Sequence, residues 1–359
     1  MNITIVGGGN IGTQFAVHCA EKGHRVKIYT STPQIFRKHL KIVNDEGIVT
    51  NEGDIEYATN DAKTAFDSAE LIMITVPSNC MEETARMIYE NSDKNALIGV
   101  VPGNGGSECA FRKCIERGNQ FFAVERVPAV ARLVKKGDTV RSVGYRSELH
   151  VAALPRSGAE KCADIIGSFF NIPCKAVANI LDLTMTPSNP ILHTTRLRTL
   201  FKDYSEGVVY SSLPLFYEEW DDETSELLFR CDDEVQKICR SLSMFDLSGV
   251  RSLKLHYESD TPQKFTEKLR SIKAFKGLGT PSVKVEGGYI PDLHSRYFTA
   301  DFSYGLSLFV QIAQLAGIDV PNLNEVMSWY DSIRIENGGF SFKEHGISDM
   351  KSFIEYYSL

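Results

Sequence analysis

The chain has 359 residues, 43% of them hydrophobic and 24% charged, a composition of a globular protein long enough for two ordinary domains with a core each. Lys and Arg number 39 against 46 Asp and Glu, and this net charge of −7 offers no bulk attraction to nucleic acid or anionic lipid. No apolar run approaches the ~18 residues that span a bilayer, and the eight cysteines never form a C-x-x-C pair, so neither a membrane span nor a metal site is expected.

Met1 leads after one residue into an apolar strand, without the basic start and apolar run of a signal peptide, so a cytoplasmic protein with reduced thiols is expected. Ile3 to Val6 form a β-branched run. Gly7-Gly8-Gly9-Asn10-Ile11-Gly12 follows without a gap and opens a periodic apolar segment through Phe15, Ala16, Cys19 and Ala20. That order reads as strand, glycine turn and helix. Gly7 allows the tight turn, Gly9 lets backbone approach a pyrophosphate, and Gly12 lets helix and strand pack closely, with the phosphates on the helix N-terminus. Gly23-His24 ends the helix and residues 25–29 form the second strand. Its tip carries Thr30-Ser31-Thr32 where an NAD site usually has an acid for the ribose 2′-OH, with Arg37 and Lys38 just beyond. Such hydroxyls and cations suit a 2′-phosphate and favour NADP over NAD; the plainer reading of Arg37 and Lys38 is as solvated helix charges.

The alternation continues with a strand over 71–76, ended by Pro77-Ser78, and a helix over 81–89. A strand over 97–101 follows, ended by Pro102-Gly103-Asn104-Gly105-Gly106, then a helix opened by Ser107. Both strand tips, Pro77 included, belong on the carboxyl edge of the sheet, where ligands bind in this fold class. The second glycine cluster reads equally as an approach to the nicotinamide end or as a turn. Residues 139–145 and 149–154 are expected as later strands of the same sheet, followed by a helix over 157–170. This gives a dinucleotide-binding Rossmann domain over 1–181.

After residue 182 the period becomes helical, with segments at 193–202, 222–243, 261–272, 302–316 and 322–332. The fold class is therefore α/β, an N-terminal Rossmann domain followed by a mainly α-helical, nominally all-α, domain over 182–359. Tyr204, Tyr210, Phe216, Tyr217 and Trp220 either line a substrate pocket or form core. The acidic run 218–223 is expected to precede and cap a helix. At the junction, helix breakers and cappers surround one imidazole, His193. Taken alone, His193 is either an acid/base or a satisfied structural histidine. Asn189 is either an orienting amide or a helix start.

Asn189-Pro190-Ile191-Leu192-His193, the glycine-rich fold before it, and Arg296-Tyr297-Phe298-Thr299-Ala300-Asp301-Phe302 after it together resemble the octopine/opine dehydrogenase family, among the 6-phosphogluconate-dehydrogenase-like two-domain reductases. The resemblance spans nearly the whole chain. It implies reductive condensation of an amino acid with a 2-oxo acid such as pyruvate, by hydride transfer from NAD(P)H. It also implies that His193 and Asp301 are the catalytic pair and that Arg296 binds substrate. The pattern departs at Thr30, where some relatives carry an acid, so cofactor choice is not inherited. The chemistry suits these residue types. A group with a reference pKa of about 6.5 can move protons at oxygen and nitrogen. A carboxylate on its other nitrogen fixes the tautomer, and an arginine clamps a carboxylate with two parallel bonds. The expected partners are the two small substrates and a second copy in a homodimer, with no nucleic acid and no membrane. Two other readings stand beside this one: an amine-independent NADP-dependent 2-oxo acid reductase of ketopantoate or glycerol-phosphate type, and a non-catalytic NADP-binding sensor. His294, close to Asp301 in sequence, is the rival histidine.

Overall fold

The computed structural model describes residues 1–335 and 338–359. They fall into two units, Met1–Leu183 with Tyr357–Leu359, and Thr184–Tyr356. Asp182 and Leu183 thus lie with the first unit, and the last three residues return to it: the Tyr357 hydroxyl donates to Glu108 Oε1 at 2.7 Å and the Arg156 N–H to the Leu359 carbonyl at 3.3 Å.

The first unit is built on strands β1 (Asn2–Val6), β2 (Arg25–Tyr29), β3 (His39–Val43), β4 (Val49–Asp54), β5 (Tyr57–Thr59), β6 (Leu71–Ile74), β7 (Leu97–Val100), β8 (Phe121–Val124), β9 (Val130–Lys135), β10 (Thr139–Val143), β11 (Leu149–Leu154) and β12 (Cys174–Ala176). Eight form one sheet in the order β12-β11-β8-β7-β6-β1-β2-β5. The six from β8 to β5 run parallel, while β11 is antiparallel to β8 and parallel to β12. Every residue of β6, β7 and β8 is buried, as expected of strands covered on both faces. Helices α1 (Asn10–Glu21), α2 (Met81–Asn91) and α3 (Ala159–Phe170) supply the covering, with Phe15, Ala16, Cys162 and Phe169 in one core with Ile5, Met73 and Val151.

Two expectations are corrected here. Residues 139–143 are a strand, but of a separate sheet ordered β4-β3-β10-β9, in which β10 runs parallel to β3. Arg37 and Lys38 are not helical: the Arg37 N–H donates to the Gly137 carbonyl at 2.8 Å, and the chain runs extended into β3. The cause is a period of two. In His39-Leu40-Lys41-Ile42-Val43, Leu40 and Ile42 turn inward and join Ala131 and Val140 in the core that holds Phe15 and Ala16. The edge strand β4, VTNEGD, has no such apolar alternation to announce it.

The second unit contains helices α4 (Asn189–Leu200), α5 (Asp222–Ser241), α6 (Pro262–Ser271), α7 (Ser307–Ala316) and α8 (Pro321–Ile333). It is not wholly helical, because Ser282–Val285 and Gly288–Pro291 pair as an antiparallel hairpin across Gly287, whose φ of +84° only glycine adopts freely. The acidic run caps as expected, with the Asp221 carboxylate accepting from Thr224 N–H at 2.7 Å at the start of α5. Helix α4 opens with proline in its first turn and is buried from Pro190 through Leu197. Its threonines survive burial because Thr194 and Thr195 donate back to the carbonyls of Pro190 and Ile191 at 2.5 and 2.7 Å. The segment Tyr297–Leu306 is π-helical and runs directly into α7. It meets α4 where Gly305 faces Pro190; a Cβ at 305 would lie 2.7 Å from the Pro190 Cγ. No described helix is long and apolar enough to cross a membrane. Because the proline ring cannot rotate away, Gly305→Ala is expected to destabilise the second unit by about 1–3 kcal/mol, read as a lower midpoint in chemical denaturation.

Candidate active site

His193 lies one helical turn into α4, and Asp301 lies midway along the π-helical segment. Their side chains meet although 108 residues apart, with His193 Nδ1 2.7 Å from Asp301 Oδ2. His193 is 3% exposed and Asp301 8%. A carboxylate only accepts, so this contact places a proton on Nδ1 and leaves Nε2 as the exchangeable nitrogen. π-Helical turns carry one more residue per hydrogen-bonded ring than α-helix and occur mostly at functional sites. This one is held by stacked rings, Phe302 on Tyr330 at 4.4 Å and on Phe298 at 5.7 Å, and by the contact of Ser303 Oγ with the Tyr330 hydroxyl at 2.9 Å. Tyr297 lies against the imidazole, ring centroids 4.3 Å apart, and Phe216 presents an edge at 5.7 Å.

Nε2 is also occupied, with the Tyr217 hydroxyl 2.7 Å away. The aromatic cluster resolves accordingly. Phe216 and Trp220 are core, Tyr204 and Tyr210 are half-buried, and Tyr217 buries its ring while directing its hydroxyl to the imidazole. Burial, and next to it the neighbouring Tyr297, push the Tyr217 phenol well above its ordinary range, so it is a protonated hydroxyl at neutral pH. Of the five aromatic residues read as pocket lining or core, Tyr217 is the one hydrogen-bonded to the imidazole, and no spacing signal in the sequence singles it out. The segment bearing it is fixed by Arg196, one turn after His193. This fully buried guanidinium donates to the carbonyls of Phe216 at 3.2 Å and Glu219 at 2.6 Å, to Thr224 Oγ1 at 3.2 Å and to the Asp221 carboxylate.

Arg296 is exposed at the entrance to the π-helical segment and makes no hydrogen bond or ion pair among the described residues, so its guanidinium fork is available. Asn189 is half-buried, one turn before His193 on α4, and its amide has no partner among the described residues. His294, the rival, is exposed, and it is His193 whose ring nitrogen is hydrogen-bonded to Asp301. No group of three or more His, Cys, Asp or Glu among the described residues could hold a metal, and all eight cysteines are free thiols.

In the first unit, Gly7 has a φ of +107°, and Gly12 approaches so closely that a Cβ there would lie 1.7 Å from the Gly7 carbonyl oxygen. Above Gly9 nothing lies within 4 Å of where a Cβ would be, and no side chain caps α1, which leaves its first-turn N–H groups open to an anion. These residues fit a dinucleotide pyrophosphate. Gly8 is closed over by Phe36 and Thr30, with a Cβ there 2.5 Å from Phe36 Cζ. Asn10 is otherwise engaged, its Oδ1 accepting from Leu133 N–H at 2.8 Å, and Ile11 packs on the core. At the tip of β2, Thr30 is buried, Ser31 is exposed, and no acid follows before Arg37. Arg37 is 66% exposed and pairs with Asp138 at 2.9 Å. Pro77 is exposed just beyond β6, on the same carboxyl edge as the glycine turn.

Residues 176–334 match the family model described as NAD/NADP octopine/nopaline dehydrogenase, alpha-helical domain, and residues 2–103 match that of the NAD-dependent glycerol-3-phosphate dehydrogenase N-terminus. Octopine dehydrogenase of Mizuhopecten yessoensis is 24% identical over 360 residues, covering 92% of this chain and 89% of the relative. A structure of octopine dehydrogenase with NADH and pyruvate superposes with a TM-score of 0.81 at 20% identity, covering 99% of this chain and 98% of that one. Yersinopine dehydrogenase with NADP+ bound gives 0.67 at 11% identity, covering 92% and 90%. Taken with the His193 and Asp301 elements in the matched helical domain, these likenesses support the octopine/opine dehydrogenase family for this chain, whose residues 176–334 match that family's helical domain.

Proposed function

We propose that the chain reductively condenses the amino group of an amino acid with a 2-oxo acid, the first unit taking the dinucleotide and the second the two substrates, with His193 as acid/base oriented by Asp301. The observation that carries this reading is the buried 2.7 Å contact between His193 Nδ1 and Asp301 Oδ2. A reduced nicotinamide dinucleotide, when bound, supplies the hydride. The chain's own residues handle protons and charge. The amine must lose a proton before it attacks the carbonyl, and the carbinolamine oxygen must gain one before it leaves as water. A histidine with its tautomer fixed can accept the first and return the second. Arg296, exposed and unpaired among the described residues, is suited to clamp the carboxylate of the oxo acid. Asn189, on the same face of α4 as His193, is suited to hold the reacting oxygen. The helical-domain match favours this over the amine-independent reductase reading, and the proton-handling pair favours it over a non-catalytic sensor.

For the cofactor we propose NADP. The tip of β2 lacks an acid that would accept from a ribose 2′-OH, and it offers Ser31 and the largely exposed Arg37 instead. Asp138, held low by the Thr139 hydroxyl and paired with Arg37, has to release that cation for a 2′-phosphate.

His193→Ala is expected to lower kcat by about 100- to 10,000-fold with dinucleotide binding retained, and Asp301→Asn to impair turnover by presenting the wrong hydrogen-bonding group to Nδ1; steady-state kinetics with dinucleotide fluorescence titration checks both. Arg296→Lys keeps the charge but loses the fork, and should raise KM for the oxo acid about tenfold or more while KM for the amino acid changes little. Arg37→Ala should weaken NADPH about tenfold in titration and leave NADH unchanged.

A further inference from the structure

An imidazole has two nitrogens, and in this site both are taken. Nδ1 meets Asp301 and Nε2 meets Tyr217, each at 2.7 Å. Tyr297 and Phe216 lie against the ring, and with both nitrogens hydrogen-bonded neither is left to face a substrate. Nor is Tyr217 placed to swing aside. Its ring stacks on Phe275 at 4.2 Å, runs parallel to Trp220 at 6.2 Å and meets the edge of Phe216 at 4.9 Å. Its backbone neighbour Phe216 is fixed through its carbonyl by the buried Arg196.

We infer that Tyr217 is the terminal proton-transfer group of the site, and that His193 exchanges its proton with substrate through the Tyr217 hydroxyl. This rests on the acid/base reading of His193. A phenol both donates and accepts, so it can pass a proton on without storing charge. As the amine is activated, its ammonium proton moves to the Tyr217 oxygen while the Tyr217 proton moves to His193 Nε2; Tyr217 is unchanged and the imidazole becomes imidazolium against Asp301. Attack on the carbonyl gives an ammonium alkoxide, whose N–H proton moves to the oxygen to give the neutral carbinolamine; as water departs, Nε2–H returns its proton to the Tyr217 oxygen and the hydroxyl proton moves to the carbinolamine hydroxyl. The C–O bond breaks, the nitrogen lone pair forms C=N, and His193 is neutral again. Phenol protonation at neutral pH, enforced by burial, is what such a relay requires.

Tyr217→Phe removes one oxygen and keeps the ring in its aromatic box. The relay predicts a kcat lower by about 100-fold or more, within about tenfold of His193→Ala, and a double variant no slower than the slower single one. The KM values and dinucleotide affinity should be retained. If Tyr217→Phe keeps kcat within about threefold of wild type while His193→Ala is inactive, substrate displaces Tyr217 and touches Nε2 directly, which overturns the relay but not the acid/base reading. If both variants remain active, both ideas fail. A second measurement guards against a variant that does not fold: 3-fluorotyrosine at 217 keeps the hydroxyl and makes it more acidic. The relay predicts a kcat within about tenfold of wild type for this protein, where Tyr217→Phe loses about 100-fold or more, and a loss as large as that of Tyr217→Phe overturns it.

Discussion

A guanidinium with no exposed surface is tolerable only where the donors it presents find acceptors, and Arg196 imposes that condition on the centre of the second unit. Four residues answer it: the carbonyls of Phe216 and Glu219, the Thr224 hydroxyl and the Asp221 carboxylate. Asp221 also caps α5, so one buried charge ties the helix that bears His193 to the loop that bears Tyr217 and to the start of the next helix. Trp220 adds its face at 5.4 Å from the guanidinium carbon. Lysine could not replace this arrangement, because a single ammonium does not present a planar fork to several acceptors at once.

The other half of the site is set by a packing constraint instead of a charge. Asp301 has to reach His193 from a segment far along the chain, and it does so from a helix wound more loosely than α. Such winding survives where surrounding contacts over-determine it. Phe298, Phe302 and Tyr330 stack behind the segment, and Gly305 allows Pro190 to come close in front. The approach of Gly305 to Pro190 thus works with the stacked rings to set the distance between Asp301 and the imidazole one turn further along α4.

These dependencies explain what was legible in the sequence. The glycine turn and its flanking strands announce themselves by local order, and Gly7 and Gly12 have the conformations their positions demand. The second sheet was hidden because one of its strands is an unpatterned polar edge, and because Arg37-Lys38 reads as helical when the period of two in β3 is not counted. His193, Asp301 and Arg296 were readable through the two motifs that contain them. Tyr217 and Arg196 were not, since neither gives a local signal: a tyrosine in an aromatic cluster and an arginine after two threonines look like core and surface. Their roles exist only in three dimensions, in the donors and acceptors each must satisfy.

Burial separates this histidine from His150, and the identity of its partners separates it from His18, which is itself only 5% exposed. His150 also sets Nδ1 against a carboxylate, Glu125 at 2.8 Å, and its affinity for a proton is raised chiefly by that bond; but its side chain is 39% exposed, and water can answer either of its charge states. His18 shares the other half of the arrangement, a tyrosine hydroxyl at 2.9 Å on Nε2. Lacking a carboxylate, it is pushed down to about 4 by burial and then by Lys22, which keeps it neutral. His193 has a carboxylate on one nitrogen and a hydroxyl on the other, both away from solvent. In that setting either charge state has a partner at each end, and the proton can leave only along the line of the hydrogen bonds, which is the condition a proton-transfer site has to meet.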